Sequence, residues 1–153
     1  MIIREYKETD FNDWKRLRME LWPEATKAEH EEEMAVISSG EVFCYELGWS
    51  VFVAEENSKL VGFIESSLRE SICECESSPI GYIEGWYVDK NNRKNGVGKL
   101  LTEEAEKWAK SKGCSNMASD VEFDNKASLE AHQSLGYKIV GKDEDGNILV
   151  KDI

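Results

Sequence analysis

The stretch Gly81 to Leu101 (GYIEGWYVDKNNRKNGVGKLL) restricts what this chain can build more than any other. Tyr82, Ile83, Trp86, Tyr87 and Val88 form an apolar, β-forming run that reads as a buried strand. A polar turn, Asp89 to Asn92, follows. Then Arg93-Lys94-Asn95-Gly96-Val97-Gly98 opens a helix in which Val97, Leu100, Leu101, Ala105, Trp108 and Ala109 recur at helical spacing. A strand running into a glycine-containing turn and a helix N-terminus points several free backbone N–H groups at one spot, which makes an anion site. Gly96 and Gly98, lacking Cβ atoms, are expected to let the backbone approach a phosphate closely. A Walker A loop is excluded, because Leu100 follows Gly98-Lys99 and Arg93 stands where the first glycine belongs. A Rossmann fingerprint is excluded by Leu101 in the place of its third glycine. What fits is Arg-x-x-Gly-x-Gly after a strand ending in valine. The plainer alternative is an ordinary β–loop–α connection.

Length and composition narrow the setting. A chain of 153 residues suits one domain, taken here as residues 1–153, with a sizeable core. No apolar run approaches the roughly 20 residues of a membrane helix. The start, MIIREYKETD, is charged almost at once and has no secretory h-region, so the expected location is cytoplasmic. Cys44, Cys73, Cys75 and Cys114 show no Cys-x-x-Cys spacing and no neighbouring His, and His30-Glu-Glu-Glu-Met34 lacks a zincin's second His. Reduced thiols and no metal are expected. The formal charge of −12 argues against a nucleic-acid partner and would attract cations. A generally acidic surface and a polycationic substrate both remain open on that ground.

Read in order, Ile2–Tyr6 is a short strand. A helix starts at Thr9 or Asp10, carries Phe11, Trp14, Leu17, Arg18 and Leu21 at helical period, and ends near Trp22-Pro23. Trp22 reads from spacing as a core or capping aromatic. Thr26–Ser39 is a second helix with a Thr26-x-x-Glu29 capping box, stopped by Gly40. Strands Trp49–Glu55 and Leu60–Leu68 flank a turn at residues 56–59, and a polar loop covers residues 69–78. After the central strand come the helix Gly96–Lys112, a strand Asn116–Val121 and a helix Asn125–Ser134. Two strands, Tyr137–Gly141 and Ile148–Lys151, complete the chain. The predicted class is α/β (α+β), with a mixed, mostly antiparallel sheet flanked by helices.

Two motifs at the right separation resemble the GNAT superfamily of acetyl-CoA-dependent N-acetyltransferases. One is the Arg93–Gly98 loop. The other is Asn125 at a helix start, with Ser128, His132 and Gly136-Tyr137 at the family's offsets. A narrower likeness covers most of the chain. Leu21-Trp22-Pro23, Ser77-Ser78-Pro79 before Tyr82-Ile83-Glu84-Gly85, Met117-Ala118-Ser119-Asp120, and His132 to Tyr137 are similar to the aminoglycoside 6′-N-acetyltransferases. That resemblance implies that Trp22, Glu84 and Asp120 contact a cationic aminoglycoside. It implies that Trp86, Tyr87, Val88, Arg93, Lys94, Asn95, Gly96, Val97, Gly98, Lys99 and Asn125 hold acetyl-CoA. A homodimer is expected on the same basis. His132 stands where many members carry a Tyr that acts as the acid, so a role for it as acid and a structural role are both open. The sequence departs from the narrower group at Ile72, where an aromatic often lines the acceptor site, and near Gly141, where some relatives place an acid.

The residues suit that chemistry. Glu84 interrupts an apolar strand, where a carboxylate is costly to bury unless a cation pairs with it. Asp120 is expected to end the neighbouring strand, where ligand sites of α/β sheets lie. Together they would orient an ammonium and take up its proton. The structural alternative pairs Glu84 with Arg69 and uses Asp120 to cap a turn. Three functions are carried forward: acetylation of an aminoglycoside 6′-amine, acetylation of another cationic amine, and a non-catalytic acyl-CoA-binding module.

Overall fold

The computed structural model describes residues 1–39 and 46–153. The strands are β1 (Ile2–Glu5), β2 (Glu46–Glu56), β3 (Lys59–Arg69), β4 (Ile80–Val88), β5 (Asn116–Glu122), β6 (Lys138–Lys142) and β7 (Gly146–Asp152). The α-helices are α1 (Phe11–Leu21), α2 (Lys27–Ser39), α3 (Val97–Ser111) and α4 (Lys126–Ser134). The order is the one predicted. Cys44 and the expected helix stop Gly40 lie outside the described residues.

One sheet runs β1-β2-β3-β4-β5-β7-β6, and only β4 and β5 pair in parallel. Its faces follow strand alternation. Val51, Val53, Phe63 and Tyr87 pack with Trp14 and Leu17 of α1 and with Met34 and Ile37 of α2. Phe52, Ala54, Ile64 and Met117 pack on the other side with Leu101, Ala105 and Ala109 of α3. Local signals explain the ends. Thr26 Oγ1 accepts the Glu29 N–H (3.1 Å), and the Glu29 carboxylate accepts the Thr26 hydroxyl (3.0 Å), closing the predicted capping box. Asn57 and Ser58 have φ of +51° and +63°, so the β2–β3 turn has two residues and Glu56 pairs with Lys59. The turn is thus two residues tighter than predicted.

Two irregularities in β4 shape the site. Gly85 pairs with Glu65 and Ile83 with Ser66, leaving Glu84 as a bulged extra residue. Ile83 and Trp86, three apart, therefore both join the α3 side. In addition, β4 and β5 pair only at Gly81–Met117, Tyr82–Ala118 and Ile83–Ser119. Beyond them the strands part into a fork. Asp120 does not end its strand as expected, because β5 continues to Glu122 against β7. What ends just before Asp120 is the pairing with β4.

Candidate active site

The side of the fork expected to hold the cofactor is mostly backbone. Lys94 (φ +64°) and Gly96 (φ +82°) hold left-handed conformations that turn the chain into α3. The first helical bond runs from Leu100 N–H to the Gly96 carbonyl (3.0 Å), so the earlier N–H groups of the helix face outward. A Cβ on Gly96 would meet nothing within 4 Å, leaving that surface open to a ligand. Gly98 is different. A Cβ there would stand 2.9 Å from the Trp86 ring, so the absence of a side chain lets α3 sit on the indole.

The side chains predicted beside this loop divide by position. Lys94, Asn95 and Lys99 are exposed. Val97 is 2% exposed and Tyr87 packs on the α1 side, so only their backbones are available to a ligand. Arg93 folds back, its Nε donating to the Val88 carbonyl (2.8 Å). The Asp89 N–H is bound to the Val61 carbonyl (2.8 Å), so strand alternation turns the Val88 N–H away from β3, toward the fork. Asn125 caps α4, its Oδ1 accepting the Ser128 N–H (3.1 Å). Trp86 Nε1 is buried with no hydrogen-bond partner among the described residues, a donor left for something else to satisfy.

On the opposite face, side chains build the site. Glu84 accepts hydrogen bonds from Ser67 Oγ (2.7 Å) and from Arg69 Nη2 (2.7 Å) and Nε (3.1 Å). The Arg69 guanidinium lies 3.6 Å above the Tyr82 ring centre. The Tyr82 hydroxyl donates to Asp120 Oδ2 (2.6 Å). Burial and then the Asp120 carboxylate push the Tyr82 phenol well above its usual range, so it stays a donor. The Glu84–Arg69 pair of the structural alternative is thus present, while Asp120 caps no turn among the described residues and is exposed at the fork.

Trp22 ends α1, its N–H donating to the Arg18 carbonyl (2.8 Å). Its ring lies over Gly85, where a Cβ would come within 2.6 Å of it. Beneath the indole, 4.8 Å from its centre, sits the buried Arg18 guanidinium. Arg18 Nε donates to His30 Nδ1 (3.2 Å), which makes His30 Nε2 the donor to the Trp22 carbonyl (3.1 Å). Arg18 also pairs with Glu33 and with Glu65, and Glu65 accepts from Trp14 Nε1 (2.9 Å) as well. Burial raises the Glu65 pKa even against these donors. Sequence reasoning missed this support. The signal was there, in an Arg on the apolar stripe of α1 and a Glu inside the apolar run of β3.

His132 is 3% exposed. Its Nδ1 donates to the Ser128 carbonyl (2.8 Å), Nε2 accepts from Ser119 Oγ (2.8 Å), and its ring meets Trp86 edge-on at 4.9 Å. Burial lowers its pKa, so the ring is neutral with both nitrogens engaged.

Comparison with known proteins decides the family. Residues 11–137 match the acetyltransferase (GNAT) family. The chain belongs to the GNAT family. Similar relatives include an aminoglycoside N(6′)-acetyltransferase type 1 from Klebsiella aerogenes, 38% identical over 92% of this chain and 91% of its own. Another from Acinetobacter haemolyticus is 34% identical over 90% and 91%. Among solved structures, the aminoglycoside 6′-N-acetyltransferase AAC(6′)-IG from Acinetobacter haemolyticus superposes with a TM-score of 0.84 at 33% identity, covering 94% of each chain. AAC(6′)-Iy, in complex with the bisubstrate analogue CoA-S-monomethyl-acetylneamine, superposes with a TM-score of 0.83 at 30% identity, covering 93% of each.

The GNAT assignment calls for acetyl-CoA as co-substrate, and the residues fit it. The open Gly96, the outward N–H groups of α3, the exposed Lys94 and Lys99, and the unsatisfied Trp86 Nε1 are arranged as an anionic, acyl-bearing ligand requires.

Proposed function

We propose that this protein transfers acetyl from acetyl-CoA to the 6′-amine of aminoglycosides, conferring resistance. The observation that supports the reading most is the fork, with the exposed Asp120 just past the last β4–β5 pair and the Val88 N–H turned into the opening. The named relatives support it.

An amine is protonated at neutral pH and must shed its proton before it attacks a thioester. Bound acetyl-CoA would supply that thioester, whose C–S bond breaks as the amide C–N bond forms, the CoA thiolate leaving and taking its proton from solvent. Asp120 is the group placed to draw in the ammonium and accept its proton, directly or through water. Tyr82 fixes Oδ2, and Oδ1 has no partner among the described residues. Glu84, already bound by Arg69, contributes by sharing its carboxylate with the acceptor, and Trp22 supplies the apolar wall beside it. The Val88 N–H, turned into the fork, polarises the reacting carbonyl. Holding both reactants in one cleft provides much of the acceleration. His132 in this reading positions Trp86, and no covalent enzyme intermediate is involved.

A cytoplasmic location accords with the free thiols of Cys73, Cys75 and Cys114. A homodimer accords with the exposed Ile139 and Val140 on the edge strand β6, and light scattering of the purified protein checks it. The functional test is thiol release from acetyl-CoA with kanamycin B, with its 6′-hydroxy analogue and with spermidine. Turnover restricted to the 6′-amine is expected. Turnover with spermidine alone would move the function to another cationic amine, and acetyl-CoA binding without turnover would make the chain an acyl-CoA-binding module.

A further inference from the structure

The loop between β3 and β4 lies against the acceptor face. Its Ile72 and Cys75 bridge to each other and pack on Ile80, Tyr82, Ala118 and Val150. Glu74, at the tip between them, reaches β6. A Cβ built on Gly141 would stand 3.0 Å from Glu74 Cγ and 3.9 Å from its Oε1, so the Glu74 side chain takes up, at its Cγ, the space that a side chain at 141 would fill, and its carboxylate lies alongside.

The sheet register says where that space is. Asp120 pairs with Ile148, and Ile148 pairs with Gly141. Directly paired residues share a face. The Glu74 carboxylate therefore lies over the face that carries Asp120, two strand spacings away, or roughly 10 Å. Glu74 is exposed and makes no ion pair among the described residues. Glu84 on β4, Asp120 on β5 and Glu74 over β6 thus set three carboxylates across one face of the sheet, as a ligand with several ammonium groups requires.

We propose that Glu74 is a specificity-determining residue, which binds an ammonium of the acceptor remote from the amine that is acetylated. This rests on the aminoglycoside reading above. Gly141 is its structural partner, holding the carboxylate over β6 by having no side chain of its own.

The test is steady-state kinetics of Glu74→Gln with kanamycin B and with neamine, which lacks the third ring and its amine. For kanamycin B, KM is expected to rise about threefold to tenfold, the effect of one partly exposed charged contact, with kcat and the acetyl-CoA KM within twofold of wild type. The rise should shrink in high salt and be smaller for neamine. Gly141→Val, which pushes the Glu74 side chain aside but keeps its charge, should raise the same KM. Glu76→Gln removes the same charge from the same loop and should change it less than twofold. An unchanged KM for kanamycin B, an equal loss with neamine, an equal effect of Glu76→Gln, or a parallel rise in the acetyl-CoA KM would overturn the proposal. Wild-type turnover separates the two claims. Without it the aminoglycoside reading fails and takes this one with it, whereas active wild type with a silent Glu74→Gln removes Glu74 alone.

Discussion

The two sides of the fork are made differently. The cofactor side is a continuous segment, β4 through the Arg93–Gly98 loop into α3, and its working surface is mostly N–H groups set by φ values and a helix start. The acceptor side is assembled from side chains on α1, β3, β4 and β5, each fixed by another: Arg69 on Tyr82, Tyr82 on Asp120, Arg18 under Trp22. Groups built from backbone survive most side-chain changes and fail where φ or close contact is altered. Groups built from linked side chains fail one partner at a time, and charge decides the cost.

Substitutions can break or sharpen that contrast. The largest effect is expected from Arg18→Ala, which leaves Glu65 buried without its cation and should cost about 3–5 kcal/mol by urea unfolding. Arg69→Ala, at a pair that is partly exposed, should cost under about 1 kcal/mol and leave the fold intact. Similar losses at the two sites would remove the distinction. Next, Asp120→Asn should raise the aminoglycoside KM on the order of 10–100-fold while the acetyl-CoA KM holds, since it loses a charge-assisted contact on one side of the fork only.

Within the cofactor side, Gly98→Val should lower stability by about 1–3 kcal/mol through overpacking on Trp86 and weaken acetyl-CoA binding in step. Gly96→Ala faces open space, so only its left-handed φ is penalised, by about 1–2 kcal/mol, and calorimetry should show acetyl-CoA affinity falling further than stability. The smallest effect concerns His132. Its folded pKa lies below that of the unfolded chain, so its contribution is fully present above about pH 6.5 and is lost as pH falls below that value. Comparing urea midpoints at about pH 7.5 and pH 5.5, His132→Gln should show a shallower decline than wild type, and an equal decline would place the titration elsewhere.

How legible each side was in the sequence follows from the same contrast. Strand, turn and helix signals of the cofactor side are contiguous, so period and punctuation placed β4, the loop and α3 within a residue or two. The packing of Gly98 on Trp86 was not legible, because it is set by how α3 lies on the sheet rather than by anything local. On the acceptor side, Trp22, Glu84 and Asp120 were marked by family resemblance, and residue type added that a carboxylate inside the apolar run of β4 calls for a cation. The Tyr82–Asp120 bond and the Arg69 stack depend on strand register, which no single segment encodes. Arg18 stood in plain view on an apolar helix stripe, and the missing inference was that a cation there needs a buried anion.

The bulge at Glu84 acts as a phase shift in the strand. Upstream of it, even-numbered residues such as Ile80 and Tyr82 face the acceptor side. Downstream, even-numbered Trp86 and Val88 face α3 and the odd-numbered Tyr87 faces α1. One extra residue thus puts Trp86 on the α3 side and Tyr87 on the α1 side, where strict alternation from Tyr82 would have done the reverse. Deleting Glu84 would join Ile83 directly to Gly85 and leave both halves in step with β3, so the downstream faces depend on that residue staying outside the ladder and the acceptor face alone loses a carboxylate.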